Sequence, residues 1–222
     1  MSHPAKPFDP SRRQFHRFLL ATLAATALPA GAASPEWLPI TPPQFGDSPG
    51  KIEVLEFFSW GCSHCREFNP LVTRWEHALA KDVVFKRVPV SFGRAAWGNL
   101  ARLFYALEGI GELARLDEAV FAAIHDQRAN LYTEAAALAW VRQQGVDERR
   151  FSDAFKSFST ETRVARAEQL SRAYKVDSVP LLTVAGRYRV VGQAGRGHAG
   201  LLAVADALIE RARKERPQSG RR

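Results

Sequence analysis

The chain has 222 residues, 46% hydrophobic and 24% charged, a balance that fits a globular protein of one or two domains with a proper core. Of its formal net charge of +8, residues 1–32 carry +3 and residues 211–222 carry +5, which leaves the body between them at zero. The high charge therefore belongs to the two ends, and a basic groove for nucleic acid is excluded.

Residues 1–32 read as a signal peptide. Arg12 and Arg13 precede the apolar core Phe18 to Ala27, and Ala30-Gly31-Ala32 supplies small residues for cleavage after Ala32. The apolar core is too short for a permanent bilayer span. Paired arginines before an alanine-rich core resemble a twin-arginine export signal, although His16 and Arg17 stand where that signal usually has Leu and Lys. An ordinary secretory signal or an uncleaved anchor is the alternative. Export places the mature chain where a disulfide persists.

Five prolines (Pro35, Pro39, Pro42, Pro43, Pro49) make the next segment an extended lead-in. Ile52 to Trp60 is apolar except for Glu53, Glu56 and Ser59, the pattern of a buried strand. A helix is expected from Cys62 to about Lys81, kinked at Pro70, then a strand from Val83 to Val90. Helices follow from Ala95 to Tyr174. Leu100, Leu103, Phe104 and Leu107 share one face, and Leu113, Leu116, Val120, Phe121 and Ile124 share another. Thr133, Asp147 and Thr160 are the expected N-caps of the last three. Leu181–Val184 and Tyr188–Val191 form a hairpin turning at Ala185-Gly186-Arg187, and His198 to Arg213 is a final helix. The basic tail, 216–222, is expected to be disordered.

The chemistry centres on Cys62-Ser63-His64-Cys65, whose cysteines are the two of the whole chain. A strand ending just before Cys62 delivers its thiol to a helix start, where free N–H groups and the helix dipole favour an anion. Such a thiol ionises easily, and the thiolate is the nucleophile. Cys65 lies one turn on, within bonding reach. A structural disulfide and half of a metal site are the competing readings. The first would close so small a loop that it stabilises by only about 2 kcal/mol. The second lacks a further Cys/His pair at finger spacing. His64, inside the dipeptide, is placed to stabilise the Cys62 thiolate. Glu56 is either a costly buried carboxylate with a purpose or a strand-edge residue with ordinary solvation. His3, His16, His77, His125 and His198 form no ligand-spaced cluster, so no metal is expected. Trp75, Trp97 and Trp140 read as core, whereas Trp60, two residues before Cys62, is placed to report its redox state.

The order strand, Cys-x-x-Cys helix, strand, helical block, hairpin, helix resembles a thioredoxin fold with an inserted α-helical domain, an α/β class. Leu55-Glu56-Phe57-Phe58-Ser59 running into Cys62-x-His64-Cys65, and Val179-Pro180 before Leu181 to Val184, resemble the DsbA family of bacterial periplasmic thiol oxidases. Ser63 stands where that family usually has Pro, and Gly61 where a bulky residue is common. The resemblance implies a thioredoxin-like domain of residues 33–90 and 176–215 and a helical insertion of 91–175. It implies a periplasmic thiol:disulfide oxidoreductase that donates disulfides to reduced exported proteins. Its reoxidant would be a DsbB-like membrane quinone reductase, and it would be a monomer with no cofactor besides its own disulfide. Cys62 would be the attacked sulfur and Cys65 the resolving one. Glu56 would relay the Cys65 proton through water. Pro180 would follow a cis bond beside the cysteines, and Val179 and Ser63 would meet the substrate. Alternatives are a disulfide isomerase or reductase, and a periplasmic Cu(I) chaperone using Cys62, Cys65 and His64.

Overall fold

The structure, a computed structural model, describes residues 35–193 and 195–216. The expected signal peptide and, apart from Arg216, the basic tail lie outside the described residues. A five-stranded sheet has the order β1-β5-β4-β2-β3. Its strands are β1 (Trp37–Pro39), β2 (Ile52–Phe58), β3 (Val83–Pro89), β4 (Leu181–Val184) and β5 (Tyr188–Val190). β2 pairs parallel with β3 and antiparallel with β4, and β5 joins β4 to β1 through antiparallel pairs. All seven β2 residues are buried, which is why its apolar run is nearly continuous: a central strand has no face to give to water.

Two hydrophobic cores pack against the sheet. One holds Ile52, Val54, Phe68, Val72, Val204 and Leu208, where helices α1 (Ser63–His77) and α7 (Gly197–Glu215) cover the sheet. The other holds Leu55, Phe57 and Phe58 together with the inserted helices. These are α2 (Ala95–Gly109), α3 (Leu113–His125), α4 (Glu134–Gln143), α5 (Glu148–Phe155) and α6 (Phe158–Ala173). The expected faces of α2 and α3 are buried, Leu113 only partly.

Thr133 and Asp147 cap α4 and α5 as expected, accepting from the backbone N–H of Ala136 and Arg150. The third cap is Ser157 and not Thr160. Ser157 Oγ accepts from Thr160 N, so Thr160 is the third residue of the helix and is buried. β1 was not anticipated as a strand. Its three residues are too few for periodicity, and at the sheet edge Pro39 loses no ladder bond. α1 ends at His77, four residues before the expected Lys81, and contains Pro70 in its interior. The hairpin turns through Ala185 (φ 53°) and Gly186 (φ 64°), the two positive φ values of a type I′ turn.

Candidate active site

β2 ends at Phe58, and Ser59-Trp60-Gly61 turn the chain into α1. Cys62 N donates to Ser59 O at 3.0 Å, and Gly61 N donates to Ser59 Oγ at 3.2 Å. Cys62 is thereby the N-cap residue of α1, with extended backbone and no side-chain cap bond. Its sulfur, and no capping oxygen, faces the unsatisfied N–H groups of the first turn. It is half-buried, while Cys65 is fully buried at 0% exposure. Both are free thiols, so the reduced site is the one described.

The two sulfurs differ sharply. The Cys62 pKa falls from 9.0 to about 6: the Cys65 thiol donates a hydrogen bond to it, and the backbone N–H groups of Cys65 and His64 and the His64 charge add to this against a burial penalty. Burial pushes the Cys65 thiol strongly up, and the neighbouring Cys62 and Glu56 charges push it further. As a thiol, Cys62 donates to the Val179 carbonyl at 3.4 Å. The Val179–Pro180 peptide is cis, and so is Thr41–Pro42, which was not anticipated. The Cys62 contact sets the Val179 carbonyl against the Cys62 sulfur. Ser63, the first residue of α1, is exposed. His64 is exposed too, with Nδ1 3.6 Å from a Glu67 oxygen.

Glu56 is not at a strand edge. It lies in central β2 at 0% exposure, directly across from Arg87 in the β2–β3 register. Arg87 Nε donates to Glu56 Oε2 at 2.8 Å, and Arg87 Nη1 donates to Asp117 Oδ1 at 2.8 Å. The guanidinium also lies 3.9 Å over the Phe58 ring. Glu56 Oε1 has no protein partner. Burial pushes the Glu56 pKa from 4.5 up to about 7, against the pull of Arg87. Asp117 Oδ1 also accepts from Trp60 Nε1 at 2.8 Å, and the Trp60 carbonyl lies 2.8 Å from His125 Nε2. Helix α3 thus grips the turn that presents Cys62. A cavity of about 790 Å³ reaches Arg87 and Asp117 but is lined by neither cysteine.

Of the tryptophans read as core, Trp140 is buried and Trp75 half-buried, its Nε1 donating to Asp206 at 2.7 Å. Trp97 is not core. A Cβ on Gly61 would lie 2.7 Å from Trp97 Nε1, so this indole fills the space beside the motif that a larger residue at 61 would take. Phe92 packs on Trp97 at 5.9 Å and the Arg94 guanidinium lies 5.0 Å over it, an aromatic rim next to the cysteines. Sequence reasoning also passed over Arg87 and Asp117. A charged residue inside the apolar strand Val83–Pro89 was the available signal for Arg87. His64, Glu67 and His198 converge from α1 and α7, a grouping that the spacing of residues along the chain does not show.

A family profile described as DSBA-like thioredoxin domain matches residues 53–196. The chain is 42% identical over 206 residues to the thiol:disulfide interchange protein DsbA of Bordetella parapertussis, covering 90% of this chain and 98% of that one. It is 37% identical over 182 residues to the same-named protein of Pseudomonas aeruginosa strain PAO1, covering 82% of this chain and 85% of that one. The crystal structure of Pseudomonas aeruginosa DsbA superposes with a TM-score of 0.77 at 35% identity, over 81% of this chain and 93% of that one.

Proposed function

The chain belongs to the DSBA-like thioredoxin family, and from that premise we propose that it is a periplasmic oxidant passing its Cys62–Cys65 disulfide to exported proteins. It is a thiol:disulfide oxidoreductase, the activity in the name of its relatives. The direction of exchange rests on one observation, the asymmetry of the dithiol: an accessible sulfur with pKa about 6 beside a buried one whose pKa is pushed strongly up.

A substrate thiolate attacks Cys62 Sγ of the oxidised protein. The Cys62–Cys65 bond breaks, the substrate–Cys62 bond forms, and Cys65 departs and takes up a proton. A second substrate thiolate attacks the substrate sulfur of this mixed disulfide. Cys62 leaves as a thiolate, and the substrate leaves oxidised by two electrons. A low pKa makes Cys62 a good leaving group and favours the reduced enzyme. The pKa fall at Cys62 is worth a few kcal/mol once solvent screening at a half-buried sulfur is allowed for. Because its folded pKa lies below the unfolded one, this stabilisation of the reduced form is full above about pH 9 and is lost as pH falls through about 6.

Glu56, with a pKa of about 7 and one unpartnered oxygen, is suited to hand Cys65 its proton through water. His64 adds charge at the first turn. Val179, Ser63 and the Pro180 corner form the edge on which an extended substrate pairs. The signal peptide at 1–32 exports the chain, and a DsbB-like membrane quinone reductase takes up the electron pair. The protein works as a monomer with no cofactor beyond its own disulfide. The thioredoxin-like and inserted helical parts divide at residues 90–91 and 175–176. Among the described residues no helix is long and apolar enough to cross a membrane.

Trapping tests the assignment. Cys65→Ala should accumulate Cys62-linked substrates on non-reducing gels, and Cys62→Ala far fewer. Equal adducts from both variants would overturn the roles.

A further inference from the structure

His64 and Glu67 stand three residues apart in the first turns of α1 and so share a face. His198 lies in the first turn of α7. The candidate ligand atoms of all three lie within 4.8 Å of one another, and His64 Nδ1 and Glu67 Oε2 are 3.6 Å apart. The two imidazoles are not stacked: their centroids are 6.5 Å apart and their planes cross at 77°. The buried Phe68 ring packs on His198 at 5.3 Å and steadies it. The side chains of His64 and Glu67 are 72% and 62% exposed, so an ion reaches them from solvent.

We propose that His64, Glu67 and His198 form a binding site for a divalent zinc ion that uses neither cysteine sulfur. Two imidazoles and one carboxylate with a fourth position open is a donor set that zinc accepts. Calcium and magnesium call for more oxygen ligands, and Cu(I) for sulfur. Zinc–ligand bonds of about 2.0–2.1 Å in a tetrahedron hold ligand atoms roughly 3.3 Å apart. His64 and Glu67 are already near that spacing, and as the two exposed side chains they are the ones free to draw in on His198, whose ligand nitrogen lies within 4.8 Å of theirs. Bound there, the ion clips the first turns of α1 and α7 together and places positive charge against the residue two positions after Cys62. It also takes up a nitrogen of His64.

Thiolates bind zinc themselves, so the test uses the untagged full chain in its oxidised form, where both cysteine sulfurs are tied in the disulfide. Zinc is titrated calorimetrically into this protein. One zinc per chain is expected, with affinity falling about tenfold or more in both His198→Ala and Glu67→Gln, and unchanged in His77→Ala at the far end of α1. The Cys62→Ser/Cys65→Ser protein should bind as the oxidised wild type does. No zinc bound by the oxidised protein, or wild-type affinity in either His198→Ala or Glu67→Gln, overturns the proposal.

Discussion

Two glutamates three residues apart on β2 live under opposite rules. At the rear of the strand, Glu53 Oε2 accepts from Asp47 N at 3.2 Å, Ser48 Oγ at 3.1 Å and Lys86 Nζ at 2.7 Å. It ties the lead-in loop to the sheet, and Gly46 is needed there because a Cβ would come within 2.7 Å of Glu53 Oε1. At the front, Glu56 is more deeply buried yet has one bonded oxygen and one bare one. A buried polar group is normally satisfied, and an orphan in a native core calls for a reason. The rear carboxylate is an anchor. The front one is left half-satisfied three residues before the turn into the cysteines, with its pKa lifted to about 7.

The largest effect should come from removing what keeps the front tolerable. Arg87→Leu strips Glu56 and Asp117 of their shared cation, and breaking a buried pair costs roughly 3–5 kcal/mol. At about 2–4 °C per kcal/mol for a domain of this size, the melting temperature should fall by about 6–20 °C. Loss of only a degree or two would mean that the front carboxylate does not need its partner.

The rear should yield less. Glu53→Gln keeps the shape but weakens three bonds, one of them charged, for an expected loss of about 1–3 kcal/mol. Chemical denaturation measures it. The Cys62 thiolate should be untouched by this change, which separates anchor from site.

Glu56→Gln sharpens the contrast through pH. The folded pKa of about 7 lies above the ordinary 4.5, so the native state binds the Glu56 proton more tightly than the unfolded chain does. The stability this proton brings is complete below about 4.5 and is lost as pH rises through about 7. Relative to Glu56→Gln, wild type should therefore lose on the order of 3 kcal/mol between those limits. Denaturant melts at several pH values would show it, and a difference flat with pH would contradict the account.

Legibility followed the range of the interactions. The strand leading to Cys62 and the helix leaving it could be read because apolar period and motif lie within one short stretch. The Thr133 and Asp147 caps are equally local. The start of α6 is ambiguous in sequence because Ser and Thr are both cap-forming types, and they stand at 157 and 160, the spacing of one cap bond, with nothing local to say which one donates its backbone N–H. Arg87, Asp117, Trp97 and His198 were not legible in their roles. Each acquires its partner across a strand pair or from the inserted helices or α7, and no local pattern records such a meeting.

The smallest effect belongs to His64. Its charge contributes after the Cys65 thiol and the backbone N–H groups in lowering the Cys62 pKa. His64→Ala should therefore raise that pKa by less than one unit, about 1.4 kcal/mol or 30 mV at most, and leave the fold unchanged. A rise to the ordinary thiol range would give His64 the leading part.

The inequality of the two sulfurs is tested most directly by following thiolate absorbance of the reduced protein against pH, with alkylated sites mapped by mass spectrometry at pH 7. One thiolate should appear with a midpoint near 6, and Cys62 alone should be alkylated. A midpoint near 9, or alkylation of Cys65 at a comparable rate, would contradict it.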